Sequence, residues 1–261
     1  MRILFVADLV GKPGRRVARA LLPRLREEKA ADIVVANGEN LAAGFGVTEP
    51  TVSDLLDMGV DVITSGNHIW DRREGLALLE SEPRLLRPAN YPPGNPGSGA
   101  HVVESAAGKV AVLNLQGRVF MPVLDDPLRV GRALVDELRG DTNIIVVDFH
   151  AEATAEKQAF ARYMDGLVSA VVGTHTHVPT ADARILPGGT AYITDLGMTG
   201  SHSGVIGYRA EQAIQRAALG RRIRLEPADG ELRLQGAVVD VDTASGHAKR
   251  IERIDLIYEE E

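Results

Sequence analysis

Short β-branched runs recur along this chain, and each stops abruptly on polar residues. Residues 3–7 end on Asp8, 32–36 on a turn holding Glu39 and Asn40, and 60–64 on Asn67 and His68. Further on, 143–149 ends on His150 and 169–173 on His175 and His177. Between the runs lie segments with apolar residues at helical spacing. The first, 13–29, carries Leu21, Leu22 and Leu25 on one face and Pro13 near its first turn, with Pro23 placed to kink it. The second opens on Thr48, Glu49 and Pro50 and runs to Met58 before Gly59. Helices are also predicted over 71–80, 126–138, 153–164 and 209–219, the last stopped by Gly220.

The βαβαβ order of the first 80 residues predicts a parallel sheet covered on both faces. Alternating patterns predict hairpins joining 101–105 to 109–115 and 181–186 to 190–194, and a closing antiparallel pair, 232–241 with 248–257. The Pro-, Gly- and Asn-rich stretch 83–98 reads as a loop. With no repeat and no linker, residues 1–261 read as one α/β domain of two sheets packed between helices. Segment 88–126 is a candidate small cap or lid.

Composition narrows the chemistry. The chain has no cysteine, so thiolate metal sites, thiol nucleophiles and disulfides all drop out, and any metal must be held by nitrogen and oxygen. No run of 18 apolar residues suggests a membrane span. The opening MRILFVADLVG reads as a first strand and not a signal peptide, because Asp8 interrupts it. A cytoplasmic protein without a membrane partner is expected, and a homo-oligomer. The net charge is -7, and a basic cluster, Arg15, Arg16 and Arg19, shares its helix with Glu27 and Glu28. An extended nucleic-acid groove is therefore not expected; a small phosphorylated substrate is.

If the strands are parallel neighbours, their terminal polar residues converge on one sheet edge. Two divalent ions need a shared anionic ligand, with imidazole and oxygen completing each shell. Asp8, Glu39, Asn40, Asn67, His150, His175 and His177 supply such a set, and Gly38, Gly66 and Gly173 let the backbone turn beside it. His68, next to Asn67, projects toward a substrate and can protonate a departing alkoxide. Singly, Asp8 reads as a cap, Asn40 and Asn67 as turn formers and His150 as a core histidine. Four of the seven histidines at strand ends make the set a metal site. Gln116 and Arg118 are candidate substrate contacts. Trp70 reads as packing, Asp71 as the cap of the next helix, and His101 and His247 as structural. His202 is placed near the mouth of the site, and the run 259–261 as a solvated tail.

The strings ADLVGKPGRR, NGENLAAGFG, TSGNHIWD, LLRPANYP, NLQGRVFM, VDFHAEATAEK, VVGTHTHVPTAD and YITDLGMTG extend over nearly the whole chain. Together they resemble the bacterial YmdB-type subfamily of the calcineurin-like metallophosphoesterase superfamily. That resemblance implies a four-layer αββα sandwich of two mixed β-sheets flanked by helices. It implies two divalent metal ions, iron first and Mn or Zn as alternatives, and hydrolysis of 2′,3′-cyclic nucleotides and of 3′,5′-cyclic AMP by a metal-activated hydroxide. One ion would take Asp8, Glu39, Asn40 and His177, and the other Glu39, Asn67, His150 and His175. Glu39 would bridge them, and His68 would be the proton donor. The common Asp-x-His motif is here Asp8-Leu9-Val10, and Glu39 stands for the common bridging Asp. With one imidazole missing, the Asp8 ion is expected to be the more exposed.

Two other functions compete. DLVGKPGRR follows a strand and opens a helix, as in a phosphate-binding module, although it matches neither GxxxxGK[ST] nor GxGxxG. Alternatively the chain is a regulatory nucleotide- or RNA-pathway-binding protein whose turnover is secondary.

Overall fold

The computed structural model describes residues 1–259. The chain opens with β1 (Arg2–Val6), β2 (Asp8–Leu9), α1 (Gly11–Glu28), β3 (Ile33–Asn37), α2 (Glu49–Asp57) and β4 (Val62–Thr64). A 3-10 turn, Asn67–Trp70, precedes α3 (Arg73–Ser81). There follow β5 (Ala100–Ser105), β6 (Gly108–Gln116), α4 (Pro127–Leu138), β7 (Ile145–His150), α5 (Thr154–Tyr163) and β8 (Ala170–Thr174). The last part holds β9 (Arg184–Ile185), β10 (Ala191–Ile193), β11 (Met198–Ser201), α6 (Ala210–Leu219), β12 (Leu232–Val241) and β13 (Ala248–Tyr258). No helix among the described residues is long and apolar enough to cross a membrane.

One sheet has the order β2-β11-β12-β1-β3-β4, with β13 on the free edge of β12; the other has the order β5-β6-β7-β8-β10-β9. Strands β1, β3 and β4 are parallel, as are β6, β7, β8 and β10, and antiparallel partners flank each set. Strand alternation sorts the side chains into layers. Ile3, Phe5, Ile33 and Val35 meet Val110, Val112, Val146 and Val172 between the sheets. Leu4, Val6, Val34 and Ile63 turn outward onto Val17, Leu22, Val52 and Leu55 of the first helices. Leu113, Val147 and Val171 turn the other way onto Val135, Phe160 and Met164 of α4 and α5. The layers are thus α, β, β, α, as the resemblance implied. Helix α6 buries no residue and stands outside them.

Most predicted elements are present within a residue or two. Asp126 caps α4 by accepting the Leu128 and Arg129 N–H groups at 2.8 and 3.4 Å, and Gly220 ends α6 at φ 60°. Helix α1 continues through Pro23 to Glu28. Three expectations need correction. Asp8 does not simply end a strand: it starts β2, which pairs with Met198 and Thr199 of β11, a strand without apolar alternation to betray it. Asp71 does not cap α3, whose N-cap is Arg72, because the 3-10 turn shifts the helix start. Gly11 is no phosphate cradle: its N–H donates to Asn40 O at 2.9 Å, and a Cβ there would meet Pro227 at 2.6 Å.

Within 88–126, the hairpin β5–β6 belongs to the second sheet. Loop 117–126 projects beyond it, pinned where Glu156 accepts the Arg118 and Val119 N–H groups at 2.8 and 3.1 Å. At its tip Phe120 and Val123 are 90% and 92% exposed. Glu259 is exposed, and the other two residues of the acidic run lie outside the described residues.

Candidate metal centre

The C-terminal ends of β3 and β4 in one sheet face those of β7 and β8 in the other, and all seven proposed ligands gather there. Glu39 Oε1 lies 3.1 Å from His150 Nε2 and 3.4 Å from Asn40 Nδ2. His150 Nε2 is also 3.2 Å from Asn67 Oδ1 and 3.0 Å from His175 Nδ1. On the other side, His177 Nε2 is 3.6 Å from Asp8 Oδ1 and 3.3 Å from Asn40 Nδ2. Glu39 therefore joins two knots of donor atoms. Glu39, His150 and His175 each offer a ligand atom within 4.8 Å of one another. Asp8 Oδ1 and Asn40 Oδ1 are buried without a hydrogen-bond partner. Orphaned buried acceptors are rare in finished structures. Acceptors, carboxylates and imidazole nitrogens converging in this way fit cations.

The outer partners of the rings decide which nitrogen points inward. Thr174 Oγ1 donates to Asp148 Oδ1 at 2.6 Å, so it accepts from His150 Nδ1 at 2.9 Å, leaving Nε2 for the cluster. His177 Nδ1 donates to Ile206 O at 2.8 Å, again freeing Nε2. His175 is reversed: Nε2 pairs with Glu152 Oε2 at 3.1 Å, and Nδ1 faces His150. Asp148 lies between the sheets and also accepts from Thr64 Oγ1 at 2.5 Å and Asn37 Nδ2 at 3.1 Å. Burial pushes its carboxyl up to about 6.

Carboxylates and imidazoles in the cluster hold one another's charged forms. Burial favours a neutral Asp8, but the neighbouring His177 outweighs it and holds Asp8 below its usual range. Burial likewise opposes the Glu39 charge, and His150 with the His68 N–H reverses this. His150 is raised, Glu39 overcoming the desolvation that would neutralise it. His177, buried yet 3.6 Å from the Asp8 carboxylate, is pushed up to about 9. His175 falls to about 3 through burial and the neighbouring His150 charge, so its lone pair is free.

The Asp8 knot is not the more exposed one. Asp8, Glu39, Asn40 and His177 are buried, whereas Asn67 and His175 are half-buried. Val10, in the place of the missing imidazole, packs against Met198 and Tyr208 and closes that side with apolar surface.

His68 holds no cluster atom. Its N–H donates to Glu39 Oε2 at 2.9 Å, and its Nδ1 donates to Asp71 Oδ2 at 2.7 Å. Nε2 is thereby left to the cavity of about 370 Å³ that His68 lines with Glu39, His175, His177, Tyr208 and Arg216. Gln116 is paired in register with His150 and fully buried. Its Oε1 accepts from Tyr91 Oη at 3.3 Å, and its Nε2 has no partner. Arg118 lies outside, 3.4 Å from Asp126. Trp70 packs edge-on to Tyr91. His202 does not line this cavity: its N–H donates to Glu231 O, and the charges acting on it are Arg233, Asp255 and Glu231.

The sequence reading missed Asp71, Glu152 and a buried ion pair. Lys157 Nζ donates to Asp195 Oδ2 at 2.6 Å and to Thr174 O at 2.8 Å. Asp195 Oδ2 in turn accepts the Thr176 N–H at 3.1 Å. The pair braces a loop in which His175 and His177 both have positive φ, 97° and 63°, a strain of about 1–3 kcal/mol each. The signal was available, since Asp195 also ends a β-branched strand. Gly66 is needed for close approach, because a Cβ there would lie 2.1 Å from the His150 ring. Gly66→Ala is therefore expected to displace that ring and lower the metal content per chain; unchanged metal stoichiometry would contradict this.

A family model described as YmdB-like protein matches residues 4–254. A Bacillus subtilis protein named 2′,3′-cyclic-nucleotide 2′-phosphodiesterase is 48% identical over 254 residues, spanning 97% of this chain and 96% of its own. A Thermus thermophilus protein of solved structure, described as hypothetical, superposes with a TM-score of 0.94 at 41% identity, covering 99% of this chain and 100% of its own. A Mycoplasma pneumoniae structure described as a novel phosphatase gives 0.92 at 36% identity, covering 98% of this chain and 93% of its own.

Proposed function

This chain belongs to the YmdB-like family, and from that premise we propose that its strand-end cluster is a dinuclear centre that opens 2′,3′-cyclic nucleotides. The chain is a phosphoric diester hydrolase. The observation that carries the dinuclear reading is the pair of donor knots joined by Glu39, with Asp8 Oδ1 and Asn40 Oδ1 unpartnered. One ion is assigned to Asp8, Glu39, Asn40 and His177, the other to Glu39, Asn67, His150 and His175. Iron is the first candidate, with Mn and Zn behind it. Bound cations supply charge neutralisation at the phosphoryl group and an acidified water.

The chain's own residues do the rest. Thr174, Glu152 and the Ile206 carbonyl hold the three imidazoles in the tautomers that direct a lone pair inward. His68, oriented by Asp71, gives its proton to the departing ribose oxygen. The unpaired Gln116 amide, if reached by substrate, offers one hydrogen bond, and 117–126 is the part of the segment free to act as a lid. The relative's name favours the 2′,3′-cyclic substrate; 3′,5′-cyclic AMP is the second. The protein is placed in the cytoplasm.

The test is elemental analysis of anaerobically purified protein beside a panel of cyclic nucleotides. About two transition ions per chain are expected, with activity lost on chelation and restored by metal. Full activity in metal-free protein would refute the reading.

A further inference from the structure

Although the chain is acidic overall, one wall of the metal cavity is basic. Arg216 of α6 stands in it with Ile206 and Leu225. The same three residues also line an adjoining cavity of about 620 Å³. Its floor is apolar, with Val205, Ala213 and Ala217, and its rim carries Arg221 and Arg222. A third cavity of about 390 Å³ continues from Leu225 past Arg224, Arg209 and Lys12.

Several arginines elsewhere are paired with carboxylates. Arg15 and Arg19 are neutralised by Asp54, and Arg2 by Asp240. Arg216, Arg221, Arg222 and Arg224 have no salt bridge among the described residues, and all four are exposed. They lie within nine residues of one another in the sequence, and the fold sets that stretch beside the candidate metal cluster. An apolar floor with guanidinium groups around it suits a nucleotide, since bases pack on apolar and guanidinium faces while phosphates pair with the charges. A 2′,3′-cyclic mononucleotide places its one phosphate at the metal cluster and has nothing for this rim. A chain that continues through the 5′-oxygen has a second phosphate and a second base.

We propose that the substrate is the 3′ end of an oligoribonucleotide closed by a 2′,3′-cyclic phosphate. The terminal nucleotide occupies the metal cavity and the preceding one the arginine-rimmed cavity. This rests on the phosphodiesterase reading above. In the reaction, a water gives up one proton to solvent and its oxygen bonds to phosphorus as the P–O2′ bond breaks. O2′ takes a proton from His68, and a 3′-phosphomonoester remains. A short basic track is sufficient for such an end, so the absence of a long groove is no obstacle.

The experiment compares metal-loaded wild type with Arg221→Ser/Arg222→Ser/Arg224→Ser. Substrates are 2′,3′-cyclic AMP and oligoadenylates ending in the cyclic phosphate, and His68→Ala protein reads binding of the matching 3′-phosphate oligomer by anisotropy. The oligomer is expected to have the higher kcat/KM, and its advantage to fall about tenfold between about 50 and 200 mM salt for two to three phosphate contacts. The triple variant should keep mononucleotide hydrolysis and lose the oligomer's advantage and binding. Equal kcat/KM for both lengths would overturn the proposal. So would a triple variant that changes only the oligomeric state, which assigns the surface to a second copy. If no cyclic phosphate is hydrolysed while arginine-dependent binding persists, the reaction assignment fails and the nucleotide surface stands.

Discussion

His68→Ala is expected to keep its metals and lose turnover of 2′,3′-cyclic AMP by about 10²–10⁴-fold, the range for removing a positioned proton donor. The variant removes no cluster atom. The contact His68 makes to Glu39 is through its backbone N–H, which alanine retains. What disappears is the imidazole that Asp71 orients at 2.7 Å. The loss should depend on the leaving group. A p-nitrophenyl phosphodiester departs as a stable anion and needs little protonation, so its hydrolysis should fall much less. Parallel measurement of kcat on both substrates and of metal per chain decides the matter. Equal losses on the two substrates, or a drop in metal content, would assign His68 to holding the cluster together.

Lys157→Met should be the most damaging change outside the cluster. Lys157 and Asp195 are each 1% exposed. Removing one member of a buried pair leaves the other charge unpaired, at a cost of about 3–5 kcal/mol and roughly 10 °C in Tm for a domain of this size. The cost should extend to function, because Asp195 holds the Thr176 N–H and Lys157 the Thr174 carbonyl on either side of His175. Without that brace, the positive φ of His175 and His177 has less to sustain it. Thermal unfolding and metal analysis are the readouts. Asp195→Asn, which keeps an acceptor for the loop N–H groups, should retain more metal than Lys157→Met. Wild-type Tm and wild-type metal content in Lys157→Met would refute the brace.

Much of the fold was legible locally. Strands β1, β3, β7 and β8 are β-branched runs buried on both faces, and such runs announce themselves. The stop at Gly220 was also visible, because capping is settled by one or two neighbouring residues. Strand β11 was not: Met-Thr-Gly-Ser has no period, and it becomes a strand only because β2 and β12 lie beside it. The exposure of the two donor knots was misjudged for a similar reason. Counting a missing imidazole at Val10 says nothing of Met198 and Tyr208, which arrive from far along the chain to cover it.

The sequence alone determined which polar residues end the apolar strands and in what order, since these can be read without coordinates. It also determined that any metal would sit among nitrogen and oxygen atoms, because the chain has no thiol. Tertiary structure decided what those donors face. Which imidazole nitrogen points inward depends on Thr174, Glu152 and Ile206. That Asp71 serves His68 depends on a 3-10 turn, and that Lys157 braces the ligand loop depends on two elements 38 residues apart. Each of these is a distance between atoms remote along the chain. Spacing in sequence constrains such distances only within a single helix or strand, and packing between layers sets all the rest.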